Sequence, residues 1–288
     1  MTHYPSLATL ARDKRSVSTR GPIALIVIED GIEIDSTITH HLALGFPRII
    51  AVCTPDIALP DSSADQIDRI DHDVTGDGAL TAIVNAAIQA FPNQWLYYTY
   101  NGEYLFYPFA EHRSIGEMLG FVTEERRDAV AAYVVDLYAG DLTAYPTGVA
   151  RDDAFFDRSG YYALAREDKD GTILERQMDV FGGLRWRFEE HIAPDRRRID
   201  RVPLFRAQPG LQMLPDRTFN MAEYNTIACP WHNSLTAAVA SFRTAKALRR
   251  NPGSRHMIES FYWQQSERFN WRAQQLMDHG WMEPGQWF

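Results

Sequence analysis

Cysteine is scarce in this sequence: only Cys53 and Cys229 occur among 288 residues. Two cysteines exclude a disulfide framework, and neither stands at a metal-ligand spacing. Both fit small buried apolar residues of a reducing compartment. Long apolar runs are also missing, and none approaches the ~20 residues that a bilayer-spanning helix needs. The first 20 residues carry charge without an apolar core, so no signal peptide is expected there. Basic excess is absent. With 29 Lys and Arg against 38 Asp and Glu, the net charge is −9, which argues against general polyanion binding and so against nucleic acid as a partner. No Walker-type glycine loop, G-x-S-x-G elbow, H-E-x-x-H pair, internal repeat or low-complexity tract occurs. These absences leave a soluble, cytoplasmic protein without an integral membrane segment as the expectation.

What is present is enough apolar material, 45% with 12% aromatic, for one large domain or a domain with an appended lobe. Residues 1–20 are polar and read as a flexible arm. The run Pro22 to Ile28 suits a strand buried on both faces, as in a parallel sheet. Asp35 can cap a helix reaching Leu44, and Gly45 fits the left-handed position beyond its end. Arg48 to Cys53 follows as a second strand, completing a strand–helix–strand unit. Residues 54–76, rich in Asp, Pro and Ser, read as loop. Leu80, Ile83, Val84, Ala87, Ile88 and Phe91 recur at helical spacing, which predicts a helix over 79–91. Trp95 to Thr99 is then a third strand, delivering Tyr100 to Glu103 at its carboxyl end, where open α/β sheets bind ligands. Ser114 and Glu117 form a capping box for a short helix, and the valines of 129–137 favour a strand. Residues 139–180 show turn residues and charge with little periodicity. Ile258, Phe261, Phe269 and Leu276 suggest a helix from Met257 to Met277.

Four blocks, in one order, resemble a branch of family-2-like glycosyltransferases. Glu29-Asp30 followed by His40-His41-Leu42-Ala43-Leu44-Gly45-Phe46 is similar to that family's "N-E-x…H-H-x-A-L-G-F". Trp95 to Leu105 resembles its "W-x-x-x-x-D-x-D-E-F-L". Gly182-Gly183-Leu184-Arg185-Trp186-Arg187-Phe188 resembles "G-G-x-R-x-R-x-F", with Arg201-Val202-Pro203-Leu204 near its "K-x-P-L". Pro230-Trp231-His232-Asn233, with Phe242 and Lys246 downstream, sits where the family has an "L-L-H-F-K" strand and helix. The blocks span about residues 22–250. The resemblance implies a GT-A-like, Rossmann-type α/β fold with a mixed sheet and helices on both faces over 21–250, followed by a helical, aromatic extension over 251–288. It also implies a nucleotide-sugar donor and a glycan or related acceptor.

Two aspartates of the family motif hold a divalent metal; here Tyr100 and Gly102 stand in their places. The family's "D-N-x-S-x-D" turn is replaced by Cys53-Thr54-Pro55-Asp56, where only Asp56 can substitute. The resemblance therefore implies an atypical transfer that needs no metal, or a protein on the same fold that has lost transfer and keeps a nucleotide or sugar pocket or only an interaction surface; an unrelated α/β enzyme would require the four-block match to be chance. A divalent metal, manganese or magnesium, is open, though its usual ligands are absent.

A departing diphosphate needs its charge neutralised, and arginine forks suit phosphate oxygens. Arg185 and Arg187, two apart, would share one face of a strand and contact the pyrophosphate; otherwise they are structural, pairing Glu189 and Glu190. Arg196 to Arg198 read as a charged loop. Glu103, the carboxylate kept in the motif, is the candidate catalytic residue, as base, acceptor anchor or ligand of a residual metal, or else it anchors the strand end. Glu29 and Asp30 are nucleoside contacts by position, with Asn101 beside them in the motif turn. Tyr100 stacks on sugar or base, or belongs to an aromatic strand. His232 touches phosphate or metal, or is structural. His40-His41 fits packing at a helix end, and Lys246 a solvated helix position unless the resemblance places it inward. Trp263, Trp271, Trp281 and Trp287 are core, close over an acceptor, or join copies in a homo-oligomer.

Overall fold

The structure, a computed structural model, describes residues 2–12, 21–60, 65–229 and 232–287. In chain order it contains β1 (His3–Tyr4), α1 (Leu7–Arg12), β2 (Ile23–Val27), α2 (Ile34–Ala43), β3 (Arg48–Cys53), β4 (Ile67–Asp71), α3 (Ala79–Ala90) and β5 (Trp95–Tyr100). There follow β6 (Glu103–Phe106), α4 (Ile115–Glu124), β7 (Ala129–Asp136), β8 (Tyr138–Ala139), β9 (Ala154–Asp157), β10 (Tyr162–Glu167) and β11 (Ile173–Phe181). The last elements are α5 (Leu184–Arg187), β12 (Asp200–Arg206), β13 (Ala237–Ser241), α6 (Arg243–Arg250), β14 (Ser266–Arg268) and α7 (Ala273–Asp278). The fold is mixed α/β, built on a nine-stranded sheet of order β1-β4-β3-β2-β5-β12-β7-β13-β6. No helix among the described residues is long and apolar enough to cross a membrane.

The chain divides into two compact units. The first comprises the described residues within Met1–Tyr104, His112–Val130 and Val202–Asn225. In it β2 pairs in parallel with β3 on one side and β5 on the other, and β4 extends the sheet beyond β3. Taken in chain order from β2, the four strands lie third-second-first-fourth, so the order reverses between β2 and β5. All five residues of β2 are buried, as are Leu96 to Tyr100 of β5. Double-sided burial explains why these strands read as continuous apolar or aromatic runs rather than alternating ones. β5 is therefore buried on both faces, more deeply than a half-buried aromatic strand.

Local chemistry fixes the helix ends. Ser114 and Glu117 form the reciprocal capping box, and Gly45 follows α2 at φ 93°. Asp35 instead lies in the first turn of α2, and the capping position belongs to Glu33, a non-glycine residue in the left-handed region at φ 59°. Two expectations fail in this unit. Residues 54–76 contain β4, whose charged alternation Ile67-Asp68-Arg69-Ile70-Asp71 hid it; Asp68 pairs with Arg48 and Arg69 with Asp71. Residues 2–12 are no loose arm: β1 pairs with β4 in parallel, α1 packs on α3, and Leu10 is buried. The rest of that arm, 13–20, lies outside the described residues.

The second unit comprises Leu105–Glu111, Ala131–Arg201 and the described residues of Thr226–Phe288. Within it β7 and β13 run parallel, β10 and β11 form a two-stranded hairpin, and β14-β9-β8 make a small sheet. Residues 139–180 thus hold strands that the charged, turn-rich sequence concealed. The expected helix over 257–277 is replaced by turns, β14 and the short α7, so the 251–288 extension is less helical than the sequence suggested. Trp271 interrupts it in the left-handed region at φ 61°. Trp281 and Trp287 are buried core residues, packing on Phe156 and Tyr107, while Trp263 and Trp271 are half-buried.

Because Leu10 is enclosed by its unit, Leu10→Ala should destabilise the protein by about 2–5 kcal/mol, measured by denaturant unfolding; a change within error would return residues 2–12 to the status of an unattached arm.

Candidate functional site

The reversal of strand order places the carboxyl ends of β2 and β5 side by side, where α/β sheets take ligands. Five of the expected residues meet there: Glu29, Asp30, Tyr100, Asn101 and Glu103. Asn101 is their centre and is wholly buried. Its backbone N–H donates to Val27 O at 3.1 Å. Its side-chain oxygen accepts from the Glu29 N–H at 2.9 Å. Its amide nitrogen faces Asp30 O at 3.0 Å, Asp30 Oδ1 at 2.8 Å and Ile32 O at 2.8 Å. One carboxamide thus satisfies backbone groups that would otherwise be stranded where β2 ends. Asp30 is largely enclosed, and its Oδ1 also accepts from the Ile32 N–H at 2.8 Å. Glu29 is half-buried.

Glu103 is also wholly buried. Its Oε2 accepts from Thr99 Oγ1 at 2.9 Å and from the Tyr100 N–H at 3.0 Å. The carboxylate closes the Tyr100-Asn101-Gly102 turn, which is the anchoring role among those open to it. Gly102 adopts φ 78°, and its N–H donates to Thr37 Oγ1 at 2.8 Å. Hard divalent cations require carboxylate oxygens. Tyr100 is a buried phenol packed in the core, Gly102 has no side chain, and Glu103 faces its own turn. The residues present do not fit a divalent cation at this turn.

At this corner Glu33 and Ser36 carried no signal in the sequence, whereas His41 was expected to pack at the end of its helix and does. The Glu33 carboxylate accepts from Tyr104 OH at 3.1 Å and from Ser36 Oγ, which draws the start of α2 onto the motif tyrosine. His41 is wholly buried beside Phe46 and Tyr97, with ring centroids 5.9 and 5.2 Å away. Its Nδ1 meets Thr37 O at 2.7 Å. Burial, then the neighbouring His40, pushes its pKa down to about 3, so it packs as a neutral ring.

Asp56 follows β3 and is exposed. A hydrogen bond from the Thr54 side chain, first, holds its carboxyl below the usual range. Arg69 braces this turn from below, donating to Thr54 O and Ile57 O at 2.8 Å each and to Asp71 Oδ1 at 2.7 Å. Asp56 is therefore an ionised, solvent-facing acceptor on a fixed turn.

In the second unit, Arg185 and Arg187 lie on a single helical turn rather than on a strand, which overturns the shared-face geometry. The turn follows Gly182 and Gly183, at φ 156° and 63°. The Tyr161 ring lies directly over Gly182, where an added Cβ would come within 2.1 Å of the ring. Arg185 donates to Arg198 O at 2.7 Å and to Thr244 Oγ1 at 3.2 Å, with Asp136 Oδ1 at 3.4 Å. Arg187 donates to Asp157 Oδ1 at 3.0 Å and Phe261 O at 2.8 Å, and lies 4.6 Å from the Trp263 ring centroid. Their carboxylate partners are thus Asp136 and Asp157. Of the residues expected to pair them, Glu189 binds Arg197 and Glu190 lies beside His191.

Burial is the largest influence on Asp136 and Asp157 and raises both carboxyl groups, against the lowering effect of their arginines. Asp157 also accepts from Tyr138 OH and from Trp263 Nε1 at 2.7 Å. Asp136 Oδ2 and Tyr161 OH are buried with no hydrogen-bond partner among the described residues. His232 is half-buried, with Nδ1 3.1 Å from Asn233 O; its neighbours Pro230 and Trp231 lie outside the described residues. Downstream of the fourth block the strand β13 begins at Ala237, and Lys246, read as solvated unless the resemblance turned it inward, is buried on α6.

No protein-family model matches the chain, and no curated protein matches it.

Asn101→Ala removes a hub whose loss strands several buried groups, at about 1–3 kcal/mol for each left unpaired; chemical denaturation should show the protein markedly destabilised, and near-wild-type stability would refute the clamp. His41 has a folded pKa below its ordinary 6.5, so its stabilising neutral form is fully present above pH 6.5 and is lost as acid is added. Each pH unit below 6.5 should remove about 1.4 kcal/mol until about pH 3. His41→Phe keeps the aromatic packing and should flatten that part of the stability–pH curve; an unchanged slope would rule out His41 as its source.

Proposed function

We propose that the protein is glycosyltransferase-like, binding a nucleotide-sugar donor and acting on a glycan or related acceptor without the usual aspartate-held metal. The observation that carries this reading is the reversal of strand order between β2 and β5, the position at which open α/β sheets bind nucleotides. It is supported by Asp56, an exposed acceptor beyond the carboxyl end of β3, suited to the hydroxyls of a ribose. The motif turn supports metal independence, since Tyr100 and Gly102 offer no carboxylate there. Glu29 borders the same corner as a second polar contact. A cytoplasmic location and self-association belong to the same proposal.

A second reading is favoured by a specific observation. Glu103, Arg185 and Arg187 all bond to internal partners, which leaves the motif residues expected to do chemistry engaged in structure. A protein that binds nucleotide or sugar without transferring it accommodates that arrangement.

Titration with a panel of nucleoside diphosphates, with and without manganese, together with assays of donor-sugar hydrolysis, separates the two. Binding that manganese does not change, with turnover, supports transfer; the same binding without turnover supports the second reading. Asp56→Asn should weaken binding about tenfold, or ~1.4 kcal/mol. Failure of every nucleoside diphosphate to bind would sink transfer and the nucleotide-binding form of the second reading.

A further inference from the structure

Trp186 is the one exposed tryptophan among those described, at 43%. Its exposure is not looseness. The helical turn α5 fixes its backbone, whose N–H donates to Gly183 O at 3.2 Å. Its ring lies against Gly160, where an added Cβ would stand 3.0 Å from the ring edge. Gly160 also holds φ 90°, so glycine is required there both for the backbone and for the approach of the indole. A large aromatic ring is thus backed on one side and open on the other.

The open side borders a concavity of about 440 Å³ lined by Trp186, Arg187, Phe188, Glu189 and Glu190. The depression is shallow and opens broadly to solvent, a shape suited to a ligand held by one stacked face rather than enclosed. The Arg187 charge is turned inward to Asp157. The carboxylates of Glu189 and Glu190 are more than half exposed, with Arg197 3.3 Å from the first and His191 3.6 Å from the second. A flat apolar face beside solvent-facing carboxylate acceptors matches a ligand with an apolar C–H face and a rim of hydroxyl donors.

We propose that this concavity binds a non-anionic pyranoside, stacked on Trp186 with hydroxyls donated to Glu189 and Glu190. The pair of carboxylates disfavours uronic acids, sialic acids and phosphates by like-charge repulsion. The site lies wholly within the second unit and requires no nucleotide, so it goes beyond the donor reading and stands or falls separately from it.

The test is titration of the full chain with methyl β-glucopyranoside, cellobiose and methyl glucuronoside, with sorbitol as control, followed by tryptophan fluorescence and calorimetry. The neutral glycosides should shift the emission saturably, with the glucuronoside at least about fivefold weaker. Trp186→Ala should abolish the fluorescence response and weaken binding at least about tenfold without lowering the melting temperature, and Trp186→Phe should recover part of the affinity. Glu189→Gln with Glu190→Gln should remove the discrimination against the glucuronoside. Absence of saturable binding, a response equal to that of sorbitol, or unchanged affinity in folded Trp186→Ala would each overturn the proposal. Since nucleoside diphosphates are absent from the assay, none of these results touches the donor reading.

Discussion

The first unit depends on one carboxamide. β2 and β5 are adjacent, parallel and buried. Where the chain leaves β2, the backbone groups of Glu29, Asp30 and Ile32 fall outside the ladder and need new partners. Asn101 reaches from the end of β5 across the end of β2 and supplies both a donor and an acceptor. An aspartate there would be acceptor-only when ionised and would face the Asp30 carboxylate directly. Asparagine is nearly isosteric and neutral, which is why it suits an interior already holding Asp30 and Glu103.

The second unit solves a different problem, that of burying charge. Asp136 and Asp157 lie at or below 1% exposure, where an unpaired carboxylate is costly. Each is met by an arginine from the same helical turn, α5, and by a hydroxyl, Thr244 for Asp136 and Tyr138 for Asp157. The turn is reached only through Gly182 and Gly183, whose conformation and closeness to Tyr161 exclude a side chain. The glycine pair and the arginine pair are therefore one device. The glycines bring the turn beneath Tyr161, and the arginines neutralise the carboxylates that the turn covers. Loss of Asp157 would also free the Trp263 indole N–H, so the same ion pair helps hold the segment around 261–266 in place.

Much of the first unit was legible because its signals are local. The apolar run of β2, the helical spacing of α3, the capping box at Ser114 and the glycine after α2 each follow from chemistry within a few residues. What escaped notice depends on partners distant in sequence. β4 alternates charge, and it becomes a strand because Arg48 of β3 faces Asp68, 20 residues away. Residues 3–12 read as polar, yet Leu10 and Tyr4 find a core supplied by α3 and β4. For the site, position was legible and role was not. Glu29, Asp30, Tyr100, Asn101 and Glu103 meet where the strand order said they should. That Asn101 and Glu103 face inward could be learned only from Thr37, Thr99 and Ile32. The arginines failed for a related reason. Two residues apart on a strand share a face, but a glycine pair before them sets a helical turn, and the periodicity argument no longer applies.

The motif turn brings these points together. Two carboxylates exposed at such a turn would repel each other unless a cation lay between them. Here the same frame holds Tyr100 in the core, Gly102 hydrogen-bonded to Thr37, Asn101 bridging to Asp30, and Glu103 accepting from the turn it follows. Each of these groups is engaged within the fold. Without internal donors, Glu103 and Asp30 would be buried charges facing empty space. Instead, both carboxylates receive backbone N–H groups, so the turn is satisfied without a ligand. At this corner the groups left to face solvent are Asp56, which is exposed, and Glu29, which is half-buried, rather than the turn itself.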